Sequence, residues 1–195
     1  MAAAGLEEAP DEALVKAFVG TGDQQALETL LRRHESRVFG MAYRILGNRA
    51  DALDAAQDVF LTVFRRAKSF KHHSAFSTWL HRLTVNACHD LSRKKARAPV
   101  PQEPHEKGIS AKTSTVETRI VVEEALTRLP TEQRSAVVMR DIYQLTYEEI
   151  SSATGAPVGT VKSRIARGRL ALAAELADTF QQSGQTRNSA DPGDV

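Results

Sequence analysis

Residues 96–117, ARAPVPQEPHEKGISAKTSTVE, divide this chain in two. Prolines stand at 99, 101 and 104, and the polar run after them offers almost nothing to bury. Such a stretch cannot offset the entropy lost on ordering, so it reads as a flexible linker. On both sides apolar residues recur with a period near 3.6, and strand signals are nearly absent. The pattern predicts an all-α chain of two small helical domains joined by that linker. Helices are expected near 11–19, 23–46, 49–67 and 75–95, then near 117–129, 131–142, 146–154 and 157–177. Pro130 with Thr131 marks one boundary, because proline is tolerated at a helix edge and threonine can cap the next helix. Residues 1–10 are expected to be flexible, and the tail 178–195 disordered.

Composition allows a packed core: 42% of the 195 residues are hydrophobic and 26% are charged. The net charge of +2 is too small to indicate a partner, so the distribution of charge carries more. Residues 93–97, RKKAR, and 162–169 are basic, whereas Asp51, Asp54 and Asp58 lie on a stretch without a cation. Cys88 is the only cysteine, which excludes an intrachain disulfide and a thiolate metal cluster. The start has no cationic segment before an apolar run, and no apolar run reaches bilayer length. A soluble, cytoplasmic protein without membrane insertion is expected.

The segment 145–172, LTYEEISSATGAPVGTVKSRIARGRLAL, reads as two short helices meeting at a sharp turn. Thr146 and Glu149 form a capping box, and Gly155 and Pro157 end one helix and begin the next. On the second helix Val158, Val161, Ile165 and Leu170 are the expected apolar positions. A helix-turn-helix sets its second helix in the major groove. Lys162, Ser163, Ala166 and Arg167 would then face base edges, with Thr160 and Arg164 placed for phosphate. The same pattern also fits a helical hairpin with a solvated basic face.

A second stretch, SFKHHSAFSTWLHRLTVNACHDLSRKKAR, gathers Phe70, Phe76 and Trp79 around Lys71, His72 and His73. Aromatic rings stack on unpaired bases while cations hold a single strand. Trp79, Leu80, Leu83 and Val85 fit a core equally well. Chemistry of other kinds finds no support: there is no Gly-rich phosphate loop, HExxH or nucleophile elbow. His81 and His89, eight apart on one predicted helix, make a poor metal site alone. No catalytic residue, metal or cofactor is expected.

LTYEEIS with GTVKSRIARGR resembles domain 4 of the extracytoplasmic-function (ECF) subgroup of the bacterial sigma-70 family. DALDAAQDVFLTVFRRAKSFKHHSAFSTWLHRLTVNACHD resembles domain 2 of the same subgroup. The resemblance covers about 11–177 apart from the linker, with both domains in family order. It implies a promoter-specificity subunit of RNA polymerase, with domain 2 over 11–95 and domain 4 over 118–177, its helix-turn-helix at about 146–166. The helix bearing Thr160, Lys162, Ser163, Arg164, Ala166 and Arg167 would read the −35 element. Asp54, Gln57, Asp58, Phe60 and Leu61 match the helix that binds the clamp helices of the largest polymerase subunit; the flap of the second largest subunit is the other expected contact. Lys71, His72, His73, Ser74, Phe76 and Asn86 match the −10 reader that captures a flipped base; Asn86 could instead make a structural hydrogen bond. The resemblance further implies promoter DNA and an anti-sigma factor as partners. This sequence departs from the family at Leu53, Ala55, Ala56, His72, His73 and Ala166. A stand-alone helix-turn-helix regulator is the competing expectation; it would bind duplex DNA without polymerase.

Overall fold

The computed structural model describes residues 3–67, 70, 75–97 and 114–188, and among them every regular element is helical. The order is α1 (Ala3–Glu7), α2 (Asp11–Thr21), α3 (Gln24–Leu46), α4 (Arg49–Arg66) and α5 (Phe76–Arg97). There follow α6 (Ser114–Arg128), α7 (Thr131–Val137) with a π-helical turn (Val138–Ile142), α8 (Tyr147–Thr154) and α9 (Val158–Asn188). Local chemistry sets most of these ends. Asp23 accepts from the Ala26 amide at 3.2 Å and Asn48 from the Asp51 amide at 3.1 Å, so each caps its helix. Gly22 and Gly47 close the preceding helices with φ of 74° and 73°. Gly47 is constrained twice, because a Cβ there would meet Thr127 Cγ2 at 2.7 Å.

Three boundaries differ from expectation. The first residues hold a helix whose Leu6 is 2% exposed, and Glu7 pairs with Arg32. Leu6 closes the cluster around Leu14, Leu27 and Leu30, which ties the amino end down. The last helix runs on to Asn188 rather than stopping near 177. Extending an existing helix costs no new nucleus, and nothing from 178 to 183 breaks it. Helices α5 and α6 likewise reach Arg97 and Ser114, so both edges of the expected linker are helical. The remainder of it, 98–113, lies outside the described residues.

The two helical sets share a core. One cluster joins Leu14, Phe18, Leu30, Val59, Val63, Phe76 and Leu80 from α2 to α5. The other draws Met41, Ile45, Ala52, Val85 and Cys88 from the first set into contact with Leu126, Val137, Met139, Ile150, Val161 and Ile165 from the second. Helix α3, at 23 residues about 35 Å long, is long enough to serve both clusters along its length. Polar contacts seal the seam. Buried Arg134 of α7 donates to the carbonyls of Ile45 at 2.9 Å, Thr127 at 2.7 Å and Leu129 at 3.0 Å. Tyr143 donates to the Arg37 carbonyl at 3.1 Å, and Thr78 of α5 to Glu149 of α8 at 3.1 Å. A seam of this kind has a direct consequence. Fragments 1–97 and 114–195, co-expressed as separate chains, are expected to co-elute as one non-covalent complex. Independent elution at micromolar concentration would show that the shared core contributes little.

Candidate functional site

The helix-turn-helix forms for local reasons. Thr146 Oγ1 accepts from the Glu149 amide at 3.1 Å, and Glu149 Oε2 accepts from the Thr146 amide at 2.8 Å. That hydrogen bond, with others from Thr146 and Thr78, holds the Glu149 carboxyl below its ordinary range against a smaller opposing effect of burial. Gly155 then turns the chain at φ 70°, and α9 starts at Val158. Val161 and Ile165 are buried as expected, at 1% and 2% exposure.

Leu170 is a correction: it is 75% exposed. Five residues beyond Ile165 is 500° of rotation, which leaves the buried face, and Gly168 continues the stripe instead. A Cβ at Gly168 would lie 2.6 Å from Val137 Cγ2, so glycine lets α9 approach α7.

The outer face of α9 keeps part of the expected cationic set. Lys162, Ala166 and Arg167 are exposed, and Thr160 and Ser163 are half-buried. Arg167 bends back along the helix, its Nη2 donating to Ser163 Oγ at 3.2 Å. Arg164, expected at phosphate, pairs with Glu132 of α7 and is 21% exposed. Its position relative to Val161 and Ile165 carries it toward α7 rather than outward. Two further cations flank this face, and neither is among the residues that sequence reasoning placed on DNA. Arg140 lies 4.8 Å from the Tyr147 ring centroid, with Lys162 5.3 Å from the same ring. Arg169 pairs with Asp141 through Nε at 3.0 Å. The sequence held no signal for Arg140, because the π turn that carries it breaks the period of 3.6.

On α4 the expected polymerase-binding residues lie together. Asp54, Gln57, Asp58 and Leu61 are exposed and Phe60 is half-buried beside them. Leu53, where this sequence departs from the family, and Phe64 are 50% and 56% exposed. With Leu31 and Phe39 of α3 they line an apolar groove rimmed by Glu35 and Gln57. Ala55 and Ala56 are buried under it, where small side chains let α4 lie close on its neighbours.

The −10 set divides. Asn86 stands exposed on α5. Lys71, His72, His73 and Ser74 lie outside the described residues. Phe76 is a correction: it is 1% exposed, packed edge-on to His34 and Phe70 and 5.7 Å from Trp79. Its ring fills the core between α3 and α5 and is not free to stack on a base. The aromatic cluster is therefore mainly core, with Trp79 alone half-exposed. Cys88 is buried and its thiol is pushed up to about 12, so it is an inert core side chain.

A helix-turn-helix and an acidic-rimmed apolar ridge on one chain is the arrangement that comparison with known proteins explains. Residues 30–98 match the family model for sigma-70 region 2, and 119–172 match that for sigma-70 region 4. The ECF RNA polymerase sigma factor SigM of Mycobacterium tuberculosis is 42% identical over 170 residues, covering 87% of this chain and 86% of that one. The chain belongs to the ECF sigma factors. The ECF RNA polymerase sigma-E factor of Escherichia coli is similar at 33% identity, covering 85% of this chain and 94% of the relative. Among solved structures, CnrH in complex with the cytosolic domain of CnrY matches with a TM-score of 0.61 and 26% identity, over 86% of this chain and 97% of that one. The sigma factor RpoE of Bartonella quintana, solved with the anti-sigma factor NepR, has the same fold at a TM-score of 0.61. As a sigma factor this chain is a transcription initiation factor, and no described helix is long and apolar enough to cross a membrane.

Proposed function

We propose that this ECF sigma factor binds core RNA polymerase through the α4 groove, reads the −35 element with α9 and opens the −10 element beside α5. The observation that carries the reading is the pairing of two surfaces on one chain. Lys162, Ala166 and Arg167 face outward from α9, while Leu53, Leu61 and Phe64 expose an apolar ridge on α4. Lysine and arginine can donate to guanine acceptors or phosphate, and alanine can touch a thymine methyl. A stand-alone regulator has no use for the ridge. Core polymerase, through its clamp helices, is the partner that covers it; the flap of the second largest subunit would hold the second set. Two of the solved relatives were captured with CnrY and with the anti-sigma factor NepR, which supports an anti-sigma factor as a further partner. In the assembled holoenzyme the protein works on the nucleoid, in the cytoplasm.

Opening separates this role from duplex binding. Holding a base outside the stack costs a few kcal/mol, which pocket contacts must offset. Asn86 is the exposed amide on α5, able both to donate and to accept on one base edge. Asn86→Ala is expected to cut transcription from duplex promoters about tenfold or more while core binding stays unchanged. A template already mismatched across the −10 region should recover most of the loss. Equal failure on both templates, or collapse of core binding, would make Asn86 structural.

A further inference from the structure

One face of α5 is turned to the other half of the molecule, and two histidines lie on it. His81 and His89 stand eight residues apart, close to two helical turns. His81 is 5% exposed, its ring meets Tyr143 edge-on at 5.2 Å, and its Nε2 has no hydrogen-bond partner. Around it stand His34 and Arg37 of α3, Glu149 of α8, and Tyr143, which is hydrogen-bonded to Arg44. His89 is half-buried, with Nε2 3.0 Å from Ser135 Oγ of α7. Because the Ser135 hydroxyl donates to the Glu132 carbonyl at 3.2 Å, His89 is the donor in that contact. Glu132 and Arg164 face His89 from the second set, and Asp90 and Arg93 from its own helix.

This closed arrangement cannot be the one that reads a promoter. The −35 and −10 elements lie, by their names, about 25 base pairs apart, which is roughly 85 Å of duplex at 3.4 Å per step. Helix α8 lies directly against α5, joined to it by Thr78–Glu149 and by Arg82 donating to Ser152 Oγ at 3.4 Å. Packed helix axes are about 8–10 Å apart. The halves must part before α9 and α5 can occupy both elements.

We propose that the His81–His89 face of α5 is a proton-sensitive clasp, which holds the free chain closed near neutral pH and lets the halves part on acidification. The significance of opening rests on the promoter role above; the opening itself does not. Burial, with Arg37 and His34 adding to it and Glu149 opposing, lowers the His81 imidazole to about 4 in the closed form. Burial also lowers His89. Once the halves separate, the burial that dominates both shifts is relieved and each imidazole moves back toward the ordinary value near 6.5, His81 stopping short of it because Arg37 and His34 of α3 stay beside it. The open form therefore takes up protons first. Closure is at full strength above 6.5 and weakens as pH falls from there toward 4. Through His81 alone, the ratio of open to closed chain should rise by up to about tenfold between pH 7.5 and pH 5.5.

The test uses the full-length chain carrying Cys88→Ala, with dyes on cysteines introduced at exposed Ser36 of α3 and Asp178 of α9. Single-molecule energy transfer counts the open population at each pH, and circular dichroism follows helicity in the same samples. The expected result is a growth of about tenfold in the open-to-closed ratio, with helicity unchanged. His81→Gln should lose most of that growth and His81→Gln/His89→Gln should be flat. Where the glutamine pair lowers helicity, His81→Phe, which keeps a ring against Tyr143, serves in its place and should also lose most of the growth. An open population that does not grow with acid, or one that grows as much without the histidines, overturns the clasp. Neither polymerase nor DNA enters this readout, so its failure leaves the promoter role standing, and failure of the Asn86 test leaves the clasp standing.

Discussion

Leu53→Asp with Phe64→Asp is expected to weaken binding to core polymerase by roughly 100-fold or more, with helicity and thermal unfolding little changed. Both side chains are about half exposed, at 50% and 56%, and the one ring contact given up is that of Phe64 with Phe18 at 6.3 Å, so charge there costs the fold little. An apolar ridge left open on a folded monomer is usually an interaction site. Here it lies in a groove whose polar lining is Glu35 and Gln57, with Asp54 and Asp58 exposed on the same helix as the ridge. Central apolar anchors commonly carry about 2 kcal/mol or more each, and rim charges far less. Two anchors lost together then correspond to about 3–4 kcal/mol, or a few hundredfold in affinity. Gln57→Ala with Asp58→Ala should weaken binding by a smaller factor. Titration of core enzyme with each variant checks the order. A ridge variant that binds as tightly as the parent would remove α4 as the polymerase contact.

Arg134→Ala is expected to destabilise the chain by about 3 kcal/mol or more, because three carbonyls lose their donor at about 1–3 kcal/mol each. Its guanidinium is 8% exposed and joins three carbonyls, one of them Ile45 at the end of α3. Truncation leaves buried acceptors without donors and opens a void between the two helical sets. Burial lowers the Arg134 pKa, yet a guanidinium gives up its proton only to strong base, so the site is charged at every pH of interest. Arg134→Lys keeps the charge but has no planar fork to reach three acceptors, and it should recover only part of the loss. Urea unfolding of the three proteins measures this directly. A loss below about 1 kcal/mol for the alanine variant would mean that water replaces the guanidinium at those carbonyls.

What could be read in advance was local. The capping box at Thr146 and Glu149, the glycine end at Gly155 and the proline boundary at Pro130 each act within a few residues. These signals act wherever the segment is placed, so helix limits came out within a few residues through the middle of each set; Thr131, expected to cap α7, instead begins it, with Pro130 at the cap position and no side-chain cap hydrogen bond. The order of the two motifs was equally legible, since it is a property of the chain alone. Lys162, Ala166 and Arg167 were found because they lie opposite Val161 and Ile165, and that relation follows from the period of 3.6.

Tertiary structure decided which apolar and charged faces were covered, and by what. A helical period names a face but not its partner. Phe76 and Trp79 looked alike in sequence, yet Phe76 fills the space beside His34 while Trp79 stays half-exposed. Arg164 and Arg167 looked alike too, until Glu132 on α7 took one and left the other toward solvent. Arg140 reached Tyr147 only through a π turn. The shared core was the least visible feature, because α3 and α5 each carry apolar residues along their full length and nothing local says that two separate bodies cover them. Sequence determined the helices, their order and the family, since those depend on near neighbours and on pattern. Packing between segments far apart in the chain determined which side chains remain free to meet polymerase and DNA.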